Sequence, residues 1–104
     1  MKRSLRRPKH DPFRLDPSSH VEISKGVSQT RTEDGMVLLD GRTGKYWTLD
    51  QVGTDMLESF ESNASTAETI AVITAKYEVS TTTVESDVKA LLRDLAAEGM
   101  VRIK

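Results

Sequence analysis

The sequence predicts a winged-helix-like α+β domain: a three-stranded antiparallel sheet followed by three helices. Three observations carry this. The first half of the body consists of short apolar runs that alternate with polar residues and are separated by glycine-containing turns. The second half switches to apolar residues three and four apart, in segments opened by capping residues. Neither half can bury its apolar side alone, so sheet and helices must share one core.

The strands come first. Val21 and Ile23 alternate with polar neighbours, Gly26 breaks the run, and Val27, Gln29 and Arg31 then alternate with Ser28, Thr30 and Thr32. This β-branched content favours one first strand, bent at Gly26. Glu33-Asp34-Gly35 reads as a turn, because Asp-Gly readily supplies positive φ. Met36 to Leu39 is the second strand, "DGRTG" (Asp40 to Gly44) the second turn, and Lys45 to Leu49 the third strand. Neighbours in a strand point to opposite faces, so Trp47 and Leu49 share one face and Tyr46 and Thr48 the other. Leu49 leads directly into the helices. Its face is therefore the expected core, with Trp47 on it and Tyr46 left towards solvent or the sheet rim. The third strand of a meander is an edge, and this one has no proline. It offers unpaired N–H and C=O groups that can accept an added strand.

Asp50 is placed to cap the first helix, on which Val52, Met56 and Phe60 recur at every fourth position beside Leu57. Ser65 and Glu68 form a capping box ahead of Ile70, Ile73 and Tyr77. Val79 lies in the next connection. Thr82 and Glu85 read as a second capping box, followed by a stripe of Val84, Val88, Leu91, Leu92 and Leu95. Gly99 supplies the stop. "MVRIK" ends the chain as a short extended piece with Val101 and Ile103 on one side.

Charge divides the chain unevenly. Residues 1–19 hold six basic residues (Lys2, Arg3, Arg6, Arg7, Lys9, Arg14) against Asp11 and Asp16, together with all three prolines. This is the composition of a basic arm, disordered or loosely docked, with Phe13 and Leu15 able to touch the body. A solvated tail is favoured over contact with an acidic partner or nucleic acid. The body, 20–104, is acidic. With 104 residues the chain is one domain with a core of modest size. No stretch approaches the roughly 18 apolar residues of a membrane span, and no apolar segment follows the basic N-terminus as in a secretory signal, so the expected address is cytoplasmic.

Catalytic chemistry finds little support. The sequence has no cysteine, and its only histidines are His10 and His20, both near the arm. The glycines of "DGRTG" precede a strand, not a helix, so they are no phosphate loop. Carboxylate pairs such as Glu85/Asp87 or Asp94/Glu98 read as a solvated helix face. No metal-ligand spacing and no cofactor motif is present. A winged-helix nucleic-acid binder is the alternative reading. However, the would-be recognition helix carries Glu85, Asp87, Asp94 and Glu98 against Lys89 and Arg93, a balance that repels phosphate. Only the arm is suitably charged.

"DGMVLLDGRTGKYWTLDQVG" (Asp34 to Gly53) resembles the core of PqqD-like proteins, the peptide-recognition elements of ribosomal peptide natural-product pathways. The shared pattern is an apolar pair, an acidic residue, a short glycine turn, an aromatic strand, and Leu-Asn/Asp opening a helix. "SDVKALLRDLAAEGMV" (Ser86 to Val101) is similar to the family's ending, and the likeness covers about residues 20–103. The "LLD-x-x-x-G-x-Y-W" form resembles the stand-alone members of lasso-peptide pathways. Asp50 replaces the usual asparagine, and either residue caps a helix. The basic arm has no counterpart in the pattern.

The resemblance implies a non-enzymatic adaptor. It would bind the leader segment of a precursor peptide and present it to a cysteine-type leader peptidase and an ATP-dependent cyclase. The leader would add to the third strand, Lys45, Tyr46, Trp47, Thr48 and Leu49, in a groove shared with the third helix. Tyr46 would then be a groove wall and Trp47 mainly core, with Asp87, Val88 and Leu91 lining the other side.

Overall fold

The computed structural model describes residues 15–104. Five strands and three helices follow in the order β1 (Val21–Ile23), β2 (Val27–Thr32), β3 (Gly35–Asp40), β4 (Tyr46–Leu49), α1 (Gln51–Glu61), α2 (Thr66–Tyr77), α3 (Thr81–Ala97) and β5 (Val101–Ile103). The antiparallel three-stranded sheet has the order β2-β3-β4, so the third strand of the sequence reading is β4 and lies at an edge. The expected α+β class holds.

The first strand differs from expectation. Gly26 does not bend one strand; at φ +88 it completes a turn, closed by Val27 N–H donating to the Ser24 carbonyl, that separates β1 from β2. β1 leaves the meander and pairs antiparallel with β5, Val21 opposite Ile103 and Ile23 opposite Val101. The apolar alternation at the end of the chain is thereby matched by the alternation of β1.

The turns are fixed by particular groups. Asp40, almost wholly buried, accepts from the Arg42 backbone N–H at 2.9 Å and from its guanidinium at 3.1 Å. These Arg42 bonds hold the Asp40 carboxyl below its ordinary range. Gly35, at φ +155, begins β3 where the chain crosses the end of β4. A Cβ there would stand 2.0 Å from the Leu49 carbonyl oxygen, so only glycine fits.

Two helix starts are as expected. Asp50 accepts from the Gly53 N–H at 2.8 Å, and Ser65 and Glu68 make the reciprocal capping box. The cap of α3 is different: Ser80, in extended conformation, accepts from the Thr83 N–H, and Thr82 lies inside the first turn. The left-handed residue Glu78 ends α2 only two positions earlier, so the chain is already turned for a cap at Ser80. The segment before β1 also serves a helix. Ser19 and Pro17 carbonyls accept from the Thr66 and Ala67 N–H groups, satisfying two free donors at the start of α2. Leu15 packs on the core and Ser19 is buried. The body thus begins before residue 20; the rest of the expected arm, residues 1–14 with Phe13, lies outside the described residues.

One core joins all layers. Met36, Leu38 and Leu49 from the sheet meet Met56, Leu57 and Phe60 of α1, Ile73 of α2, and Val84, Val88, Leu92 and Leu95 of α3. Val21, Met100 and Val101 close it from the β1–β5 side. Above this core α1 and α2 are tied by Asp55, whose side chain is 12% exposed and accepts from Lys76 at 2.8 Å, from the Tyr77 hydroxyl and from Gln51. Burial pushes the Asp55 carboxyl up, but these bonds outweigh it and hold the group below its ordinary value of 3.8.

Two outcomes are expected. Gly35→Ala should lower stability by about 1–3 kcal/mol, the range for a forced insertion into packed structure, read by chemical denaturation. For Asp55, a carboxyl lowered by folding stabilises the native state above its unfolded pKa, and that contribution is lost as pH falls through the folded value. Asp55→Asn should therefore melt earlier than the parent at pH 7, and the gap should narrow below about pH 4.

Candidate functional site

The β3–β4 ladder decides what the edge offers. Asp40 N–H donates to the Lys45 carbonyl at 2.9 Å, so the Asp40–Lys45 pair sets the hydrogen-bonding phase. With Leu38 opposite Trp47 and Met36 opposite Leu49, alternation assigns those pairs to the bonded positions. Tyr46 and Thr48 fall at the non-bonded positions, so their N–H and C=O groups point away from β3, along the open edge.

Side-chain parity follows the same alternation. Lys45, Trp47 and Leu49 lie on the helix-facing side; Tyr46 and Thr48 lie on the outer side. Leu49 is buried, Trp47 is half-buried against the core, and Tyr46 is 68% exposed. Tyr46 stands opposite Leu39 of β3, itself 42% exposed, and Val37 is half-buried on the same outer face.

α3 supplies the facing wall. Its core stripe is Val84, Val88, Leu92 and Leu95. One flank, with Glu85 and Lys89, borders α2 and a cavity of about 860 Å³ that also touches Leu15, Ile70 and Thr74. The other flank, at i, i+4, i+7 and i+11, carries Asp87, Leu91, Asp94 and Glu98. Lys45 Nζ bonds Glu98 Oε1 at 3.3 Å, so this second flank lies towards the β4 edge.

Parity and burial sort the expected residues. Parity turns Tyr46, 68% exposed, to the outer face, whereas Trp47, half-buried, and Lys45 lie on the helix-facing side. Val88 has no exposed surface and belongs to the core stripe, while Asp87 is exposed and Leu91 half-buried beside it. Asp94 and Glu98, read from sequence as a solvated face, share the flank of Asp87 and Leu91; their spacing from Asp87 was the available signal. Among the described residues no three His, Asp or Glu side chains gather to hold a metal, and no helix is long and apolar enough to cross a membrane.

The open edge of the small sheet carries backbone groups with which an extended segment could pair. The comparisons make the assignment. Residues 35–101 match the family described as coenzyme PQQ synthesis protein D (PqqD), and the chain belongs to this PqqD-like family. Two solved structures are similar to it. One is "Lasso peptide synthetase B1 complexed with the leader peptide", 34% identical over 80% of this chain and 98% of that one, with a TM-score of 0.75. The other is "TbiB1 in Complex with the TbiA(beta) Leader Peptide", 34% identical over 78% and 94%, with a TM-score of 0.73. No curated protein matches the chain.

Their opposite faces give Trp47 and Tyr46 unequal effects on stability. Trp47→Ala should cost about 2–3 kcal/mol, less than the loss of a fully buried aromatic. Tyr46→Ala should cost under about 1 kcal/mol, the scale of one cross-strand pair. Denaturant titration of the two variants checks this; equal losses would place Tyr46 on the core face.

Proposed function

We propose that this chain is a non-enzymatic adaptor of lasso-peptide maturation. It binds the leader segment of a ribosomally made precursor by strand addition to β4 and presents it to a cysteine-type leader peptidase and an ATP-dependent cyclase. One observation carries the reading: the free amide groups of Tyr46 and Thr48 face the open edge, in a chain whose similar solved structures are complexes with leader peptides.

The roles follow from the geometry. Backbone groups of Tyr46 and Thr48 pair with the leader and supply affinity without sequence preference. Leader side chains turned inward meet Lys45 and Trp47 on one side and Asp87 and Leu91 on the other. Leader side chains turned outward pass beside the Tyr46 ring. Leu49 and Val88 form the floor and act through packing. Adding a strand here also removes a free sheet edge, which is otherwise a liability for association between copies.

The test is titration of the cognate leader. Thr48→Pro removes an edge N–H that β3 does not use, and proline is tolerated at edge strands. The variant should melt near the parent but bind at least tenfold more weakly, about 1.4 kcal/mol. Unchanged affinity would mean that the leader docks elsewhere. Presentation is tested separately: the chain should accelerate leader removal by the peptidase, and Thr48→Pro should lose that acceleration in proportion to its binding.

A further inference from the structure

The flank of α3 that borders the β4 edge has a definite chemistry. Asp87, Asp94 and Glu98 are carboxylates, Leu91 is the apolar member, and the stripe itself has no Lys or Arg. Asp87 and Asp94 are exposed and make no ion pair among the described residues. Across from them stands one cation, Lys45, just before β4, and Glu98 already engages it. A row of carboxylates is not a site in itself. What gives this row meaning is the unpaired strand edge it faces, so the inference rests on the leader-binding reading above.

From this we infer that the segment taken by the groove is basic on its inward side, with Lys or Arg at two positions four apart and an apolar residue midway between them. The spacing follows from the two periodicities. Alternate residues of a strand are about 6.7 Å apart, so inward positions j, j+2 and j+4 span about 13 Å. Along a helix, rising about 1.5 Å per residue, Leu91 lies about 6 Å beyond Asp87, Asp94 about 10.5 Å and Glu98 about 16.5 Å. A strand laid along α3 with residue j at Asp87 puts j+2 at Leu91. Its j+4 residue falls between Asp94 and Glu98, within reach of both for a long cationic side chain. The apolar body of j+2 packs between Leu91 and Trp47. Cations at j and j+4 supply counter-charges that Asp87 and Asp94 lack among the described residues, and the second competes with Lys45 for Glu98. Acidic residues at these positions are rejected, which gives the groove a charge rule beyond the sequence-blind backbone pairing.

The probe is a displayed library of random twelve-residue peptides, selected on the full chain and on the doubly substituted Asp87→Asn, Asp94→Asn variant, which keeps shape and should melt like the parent. The parent should enrich peptides with the basic–x–apolar–x–basic pattern, and the variant should not. One recovered peptide, titrated by fluorescence anisotropy, should bind the variant about tenfold more weakly. Replacing its two basic residues with alanine should cost about the same on the parent and add little on the variant. Enrichment of peptides without paired basic residues, whose binding is abolished by Thr48→Pro, would overturn the charge rule and leave the leader reading intact. If no peptide were enriched, the leader reading itself would fall, and this inference with it.

Discussion

β4 bonds to β3, its only strand neighbour among the described residues, through alternate residues, and that phase organises the molecule. In an antiparallel ladder the residues that exchange hydrogen bonds with β3 are also those whose side chains face one way. Here they are Trp47 and Leu49, in the phase set by the Lys45 carbonyl that accepts from Asp40 N–H, and they face the helices. The same alternation leaves the amides of Tyr46 and Thr48 free and turns their side chains outward. Core attachment and an open edge therefore coexist on four residues. Shifting the pairing by one would bury Tyr46 and Thr48, expose Leu49, and reverse which amides are available.

The two edges of the sheet are treated differently. β2, the opposite edge, is almost wholly polar, and its longer side chains are committed: Arg31 bonds Glu58 and Gln29 bonds Glu61, both on α1. Such charged and polar cover is a usual way to discourage association along an edge. Among the described residues β4 has no comparable cover. Its cation, Lys45, lies just before the strand and is drawn to Glu98 at the end of α3. The rest of the edge is Tyr46, Trp47, Thr48 and the buried Leu49. This asymmetry makes β4, not β2, the edge suited to pairing with another chain.

Much of this was legible in the sequence because local chemistry and tertiary structure agree. Asp34-Gly35 turns where expected, Asp50 and Ser65 cap where expected, and the α3 stripe buries Val84, Val88, Leu92 and Leu95. The misreadings arise where a distant partner or a neighbouring helix end decides. Nothing near Gly26 says that β1 will leave the meander; its partner is Val101–Ile103, at the far end of the chain. Thr82/Glu85 satisfies the capping-box pattern, but the left-handed turn at Glu78 lets Ser80 act first. The faces of Tyr46 and Trp47 could be read from alternation. Which face borders α3 could not, since it depends on how α3 lies against the sheet, seen here through Lys45 and Glu98. The acidic flank was visible as composition but not as a wall.

The β1–β5 pair bears on how the chain folds. It joins Val21 to Ile103, whereas β2, β3 and β4 are linked by turns of a few residues and the helices by short connections. Closing the longest loop carries the largest entropic cost, and it is repaid only once the intervening helices have condensed. The clasp is three residues deep on each strand, with Arg102 and Lys104 reaching Glu22 at its rim. It is thus the natural last step of assembly and the first to fray, on the side of the core built by Val21, Met100 and Val101. The β4 edge is set by the local meander, so it is complete before that final closure.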